Sequence, residues 1–61
     1  MFEVGTLVRL QDDPAIAIVI DHWIEDKNGE VHAVVRWLSG YFVGRRTAEY
    51  NEDLEALNEK D

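Results

Sequence analysis

The chain has no cysteine. That absence excludes a disulfide framework, a Cys-ligated zinc centre and a thiol nucleophile. Positive charge is scarce: six Lys+Arg stand against thirteen Asp+Glu, for a formal charge of −7. Such a balance opposes general binding to nucleic acid or to an anionic membrane, because both need positive charge facing phosphate. No long hydrophobic run exists. The longest, Ala15 to Ile20, is far too short to span a bilayer. The opening MFEVGTLVRLQDD lacks a basic stretch followed by an apolar run, so no signal peptide is expected and the expected location is the cytoplasm. Phosphate loops, Ser/His/Asp arrangements and nucleotide fingerprints are missing too. No enzyme activity, cofactor or small-molecule substrate is therefore expected.

What is present is enough for one small domain. The chain has 61 residues, one proline and four glycines, and 46% of it is hydrophobic, which sets it apart from disordered acidic tails. A domain this short buries only about 60% of the surface its unfolded chain exposes, which leaves little room for a large cleft. The charge is uneven. Residues 49–61 hold Glu49, Glu52, Asp53, Glu55, Glu59 and Asp61 against Lys60 alone. Arg36, Arg45 and Arg46 gather in the later middle, so a local basic patch on an acidic protein stays open.

Short strands account for most of the chain. Residues 4–10 (VGTLVRL) read as a strand after a glycine entry, and Asp13-Pro14 favours a turn. Residues 15–25 (AIAIVIDHWIE) are rich in β-branched side chains, and residues 30–38 (EVHAVVRWL) carry Val31, Ala33, Val35 and Trp37 in phase. Ser39-Gly40 breaks the chain before a fourth strand over residues 41–50, with Gly44 as its expected bulge. A short helical turn over 51–57 and a last strand around Leu54 to Leu57 follow.

The strongest local signal is Asn28-Gly29, the preferred pair for a two-residue type I′ turn. If these two form the loop, paired residues sum to 57. Asp21 then faces Arg36, Glu25 faces His32, Trp23 faces Val34 and Val19 faces Leu38. Ile18, Ile20, Ile24, Val31, Ala33, Val35 and Trp37 fall on one face, the expected core, with His22 as its polar intruder. The other face alternates the two polar pairs with apolar ones.

Five short strands with a long central hairpin and a late helical turn resemble a small SH3-like β-barrel, an all-β fold. The phrases VGTLVRL, AVVRWLSG and NEDLEAL are similar to the opening, central and closing phrases of KOW- and Tudor-type modules. Ala15 and Ala17 stand where those modules often carry glycine. The layout also resembles short tailed-phage proteins. The resemblance covers residues 4–57 as a single domain, with 58–61 as a frayed acidic tail. It implies a binding module for RNA, DNA or another protein. For a phage-encoded protein the compartment is the host cytoplasm.

Several residue sets are candidates for contact. Trp23, Val34, Val19 and Leu38, rimmed by Arg36 and Asp21, form an apolar stripe suited to another protein or to self-association, because hot spots pair an aromatic anchor with a charged rim. The alternative is a nucleic-acid surface of Arg36, Arg45, Arg46, Tyr41 and Phe42, working by stacking beside a basic groove. Trp23, Trp37, Tyr41, Phe42 and Tyr50 resemble the residues of Tudor aromatic cages, which hold cations over ring faces. The expected register sends His22 and His32 to opposite faces, so no metal site is expected. His32 beside Glu25 reads as a surface cross-strand pair, and Asp12-Asp13 as a solvated loop.

Overall fold

The computed structural model describes residues 2–25 and 27–57. Five strands, β1 (Leu7–Leu10), β2 (Ala17–Ile24), β3 (Val31–Trp37), β4 (Arg46–Tyr50) and β5 (Leu54–Ala56), form one sheet in the order β4-β3-β2-β1-β5. Every pairing is antiparallel. The one helical element among the described residues is a 3-10 turn, Asn51–Asp53, which links β4 to β5. The all-β class, the five strands and the late helical turn agree with the sequence reading, and the architecture is compatible with an SH3-like barrel. The expected tail, 58–61, lies outside the described residues.

The central hairpin departs from the expected register. Asn28 does not take the positive φ that a type I′ turn needs at both positions; only Gly29 does, at +70°. The turn closes wider instead, with the Glu25 N–H donating to Glu30 O (2.9 Å) and the Gly29 N–H to Glu25 O (2.8 Å). Asn28 Oδ1 accepts from the Glu30 N–H (3.1 Å), a local bond that gives Asn28 another use. Paired residues therefore sum to 55, as in Trp23 with His32 and Ile24 with Val31.

A β-bulge then changes the register again. Asp21 pairs with Val34 but Val19 pairs with Val35, so Ile20 is the extra residue. Below the bulge β2 also pairs with the entry to β1: the Val19 N–H donates to Thr6 O (2.9 Å) and Val19 O accepts from the Gly5 N–H (2.7 Å). Above it β2 continues with β3 alone. The added bend lets one strand serve both parts of the sheet.

A side-chain period of two makes the consequence strict. The shift from 57 to 55 is even and leaves Trp23 facing outward. The shift to 54 is odd and exchanges the faces. Val19 and Ala17 turn inward, where Val8, Ala33, Val35, Trp37 and Leu54 complete the core. Ile18 sits outside opposite Arg36, Ile20 is half-buried, and Ile24 lies exposed beyond the end of the core. The expected isoleucine core is thus corrected to a valine and alanine one. The expected Asp21–Arg36 pair is also absent, since these residues face Val34 and Ile18.

Two further boundaries differ. Residues 4–5 form a turn, so β1 starts at Leu7. Residues 41–44 form a turn rather than a strand, and Gly44 lies in it at φ +85° instead of in a bulge. The hairpin closes where the Trp37 N–H donates to Arg45 O (2.9 Å) and the Gly44 N–H donates to Trp37 O (2.7 Å).

Candidate functional site

Two loops build a groove at one end of the sheet. The β1–β2 loop and the β3–β4 loop are held together through their backbones. Ile16 O accepts from the Leu38 N–H (2.8 Å), and the Ile16 N–H donates to Ser39 Oγ (2.9 Å). Gly40 closes the approach: a Cβ on it would lie 2.6 Å from Ala15 Cβ. Between the loops lies an apolar hollow of ≈ 230 Å³. Trp37 and Leu10 line it from the strands, Ala15 from the first loop, and Tyr41 and Phe42 from the second. The last two rings pack edge to face at 5.2 Å. Tyr41 is 92% exposed.

The polar side of the groove is acidic. The Trp37 Nε1–H donates to Thr47 Oγ1 (2.9 Å), and the Thr47 hydroxyl donates to Glu49 Oε2 (2.8 Å). The indole thereby orients the Glu49 carboxylate at the rim. A second hollow of ≈ 440 Å³ shares Leu10, Asp13 and Glu49 with the first and adds Gln11, Asp12 and Asp53. Among the described residues, no Lys or Arg lines either hollow. The ion pairs among the described residues are Arg9–Glu55 and His32–Glu25, so these four acids have no basic partner there. Aromatic faces beside unpaired carboxylates attract a cation twice, through the ring quadrupole and by direct charge.

The expected sites redistribute. Val19 is 1% exposed and therefore leaves the proposed contact stripe, because the bulge turns it inward. Trp23, Val34, Arg36 and Asp21 remain on the outer face, and Leu38 is exposed past the end of β3. Trp23, 52% exposed, does not stand alone: its ring stacks on His32 at 5.1 Å, and Tyr50 closes on the other side at 4.6 Å. His32 is thus buried, not the surface residue expected, although its contact with Glu25 stands at 3.4 Å. His22 sits half-buried at the core edge, as read from the sequence, and its Nε2–H donates to Phe2 O (2.6 Å). Of the five aromatics likened to a cage, Trp37, Tyr41 and Phe42 meet in the groove, while Trp23 and Tyr50 flank His32.

Arg36 and Arg46 pair directly across β3 and β4, and both are exposed. Arg45 precedes β4 and is exposed too. Asp13 Oδ1 caps its own loop by accepting from the Ala15 N–H (2.9 Å). Sequence reasoning missed the acidic groove because Asp12 and Asp13 are far in the chain from Glu49 and Asp53. It also missed that Glu25, Glu30 and His32 bring donor atoms within 4.8 Å of one another.

The chain matches no family model, no curated protein and no solved structure. The KOW, Tudor and tailed-phage likeness therefore rests on the sequence phrases alone. No helix of the described residues is long and apolar enough to cross a membrane.

Proposed function

We propose that this chain is a non-enzymatic protein-interaction module that takes a cationic, partly apolar segment of another protein into the groove between its β1–β2 and β3–β4 loops. The observation that carries the reading is the joining of an aromatic hollow, built from Trp37, Tyr41 and Phe42, to a rim of carboxylates with no basic partner among the described residues. A lysine or arginine side chain suits both halves, because its stem packs on rings while its head meets acids. The formal charge of −7 supports the same partner by steering a basic surface toward the module. The likeness to KOW and Tudor modules fits a binding role. The likeness to tailed-phage proteins suggests a phage-encoded factor that docks on a basic surface of a host or viral protein in the host cytoplasm.

The test is an array of short peptides, each with one Lys or Arg flanked by apolar residues, read by fluorescence anisotropy over a salt series. The selected peptide should bind Tyr41→Ala and Glu49→Gln at least tenfold more weakly, with Tyr41→Ala unchanged in thermal stability. Equal binding by both variants removes the groove as the docking site.

One observation favours a second reading. Like charges directly opposite one another in a sheet repel, yet Arg36 faces Arg46 and neither has an acid partner among the described residues. An anion would relieve that repulsion. Nucleic-acid binding through Arg36, Arg45 and Arg46 predicts an affinity that falls steeply with salt and weakens in Arg46→Ala.

A further inference from the structure

We propose that Glu25, Glu30 and His32 form a site for a divalent transition-metal ion of the zinc class. The site lies at the turn end of the β2–β3 hairpin, and no part of the proposed groove contributes to it.

Geometry comes first. The three donor atoms lie within 4.8 Å of one another. His32 Nε2 and Glu25 Oε1 are 3.4 Å apart. Ordinary N–H···O bonds measure about 2.7–3.2 Å, so this contact is slack as a hydrogen bond. It matches the edge of a tetrahedron whose bonds are about 2.0–2.1 Å, which is roughly 3.3 Å. Glu30 is exposed, and its side chain has the freedom to swing the remaining distance.

The imidazole, meanwhile, has little freedom. His32 is 5% exposed and lies between the rings of Trp23 and Tyr50. Its Nε2 faces the Glu25 carboxylate, with a Glu30 carboxylate oxygen in the same cluster of donor atoms. A ligand held this way gives up little entropy on binding, which is what makes a small site effective. Both glutamates are fixed at their backbones as well, since the Glu25 N–H donates to Glu30 O (2.9 Å). That bond sets two like charges opposite each other, and a +2 ion neutralises the pair. One imidazole with two carboxylates suits zinc and its neighbours, whereas calcium and magnesium take oxygen ligands alone. Three protein ligands leave a fourth position for water or for a donor from a partner.

A competing explanation is a buried imidazole satisfied by Glu25 alone, in which Glu30 has no part. Calorimetric titration of the full chain with zinc chloride separates the two. The site predicts one ion per chain with micromolar affinity, at least tenfold weaker in Glu30→Gln, and far weaker binding of calcium. Glu30→Gln is chosen because its side chain is exposed, so the fold survives. His32 fills a stacked position, and its replacement would confound binding with unfolding. Cobalt adds a second readout: tetrahedral ligation gives visible absorption, and the bound ion quenches emission from Trp23, whose ring stacks on the ligating His32 with centroids 5.1 Å apart. No saturable binding at millimolar zinc overturns the proposal. So does equal affinity for calcium, which marks diffuse attraction to acids, or an unchanged affinity in Glu30→Gln. None of these results depends on whether the groove binds a peptide.

Discussion

Gly40→Ala should be the most damaging single-methyl addition at any of the four glycines, and the structure supplies its own control. Gly40 and Gly44 hold nearly the same left-handed φ, +86° and +85°. An alanine in that region costs about 1–2 kcal/mol at either position. Their surroundings differ. A Cβ at Gly44 meets nothing within 4 Å, whereas one at Gly40 falls 2.6 Å from Ala15 Cβ. Carbon atoms attract best at about 3.5–4.0 Å, so the two loops must separate. Overpacking of this kind costs a further 1–3 kcal/mol or so. Gly40→Ala should therefore lose about 2–5 kcal/mol and Gly44→Ala about 1–2. At roughly 0.05–0.15 kcal/mol per residue, the whole fold holds about 3–9 kcal/mol, so the larger figure would consume most or all of it. Urea unfolding reads the difference. With a slope near 1 kcal/mol/M, the midpoint of Gly40→Ala should fall about 1–3 M below that of Gly44→Ala. Adding Ala15→Gly removes the obstructing methyl and should restore the steric part in a double-mutant cycle. Equal midpoints for the two single variants, or no recovery in the double, would refute the close approach that seats Tyr41 and Phe42 over the groove.

Two other perturbations probe the core and the rim. Val19→Ala should cost about 2 kcal/mol, from lost burial and the cavity left behind, while Ile24→Ala should stay within about 0.5 kcal/mol. The reverse order in urea unfolding would restore the register that sums to 57 and remove the bulge. Thr47→Val should cost about 1–3 kcal/mol, since it strands the buried Trp37 indole N–H. It should also weaken cationic-peptide binding by releasing Glu49, and unchanged binding would separate the indole from the rim.

The sequence made strand positions legible because β-branched runs and glycine breaks are local signals. Residues 31 to 37 and 54 to 56 fall where the pattern puts them, and so does the 3-10 turn between β4 and β5. Register was not legible. Asn28-Gly29 permits a two-residue turn, but Asn28 Oδ1 bonded to the Glu30 N–H supports a wider one. The bulge at Ile20 carries no sequence mark, since AIAIVI alternates equally well in either phase. Its cause lies elsewhere in the chain, where Gly5 and Thr6 hold Val19 from the other side. Trp23 kept its face through an even shift, and Val19 lost its face through an odd one. The groove was partly legible: Tyr41 and Phe42 stood out as aromatics after a break. Their acid neighbours come from the β1–β2 loop, β4 and the 3-10 turn, and only the folded sheet assembles them.

Among the described residues, the sheet and its central hairpin set like charges opposite each other in two places. Glu25 bonds through its backbone to Glu30, and Arg36 pairs with Arg46. Each such pair works against folding by a few tenths of a kcal/mol, up to about 1. Stability alone would favour the opposite choice, and this chain makes that choice where it pairs Arg9 with Glu55 at 2.6 Å. A fold of 61 residues has little stability to spare. Repulsion kept at a fixed, solvent-facing position is useful when an ion of opposite charge arrives, because binding then relieves it and gains affinity from the relief. The glutamate pair has a buried imidazole aimed at it, which gives a cation a third ligand. The arginine pair has the apolar Ile18 as its cross-strand neighbour, and no acid pairs with it among the described residues. By that difference the glutamate end of the hairpin is the stronger candidate for a bound ion.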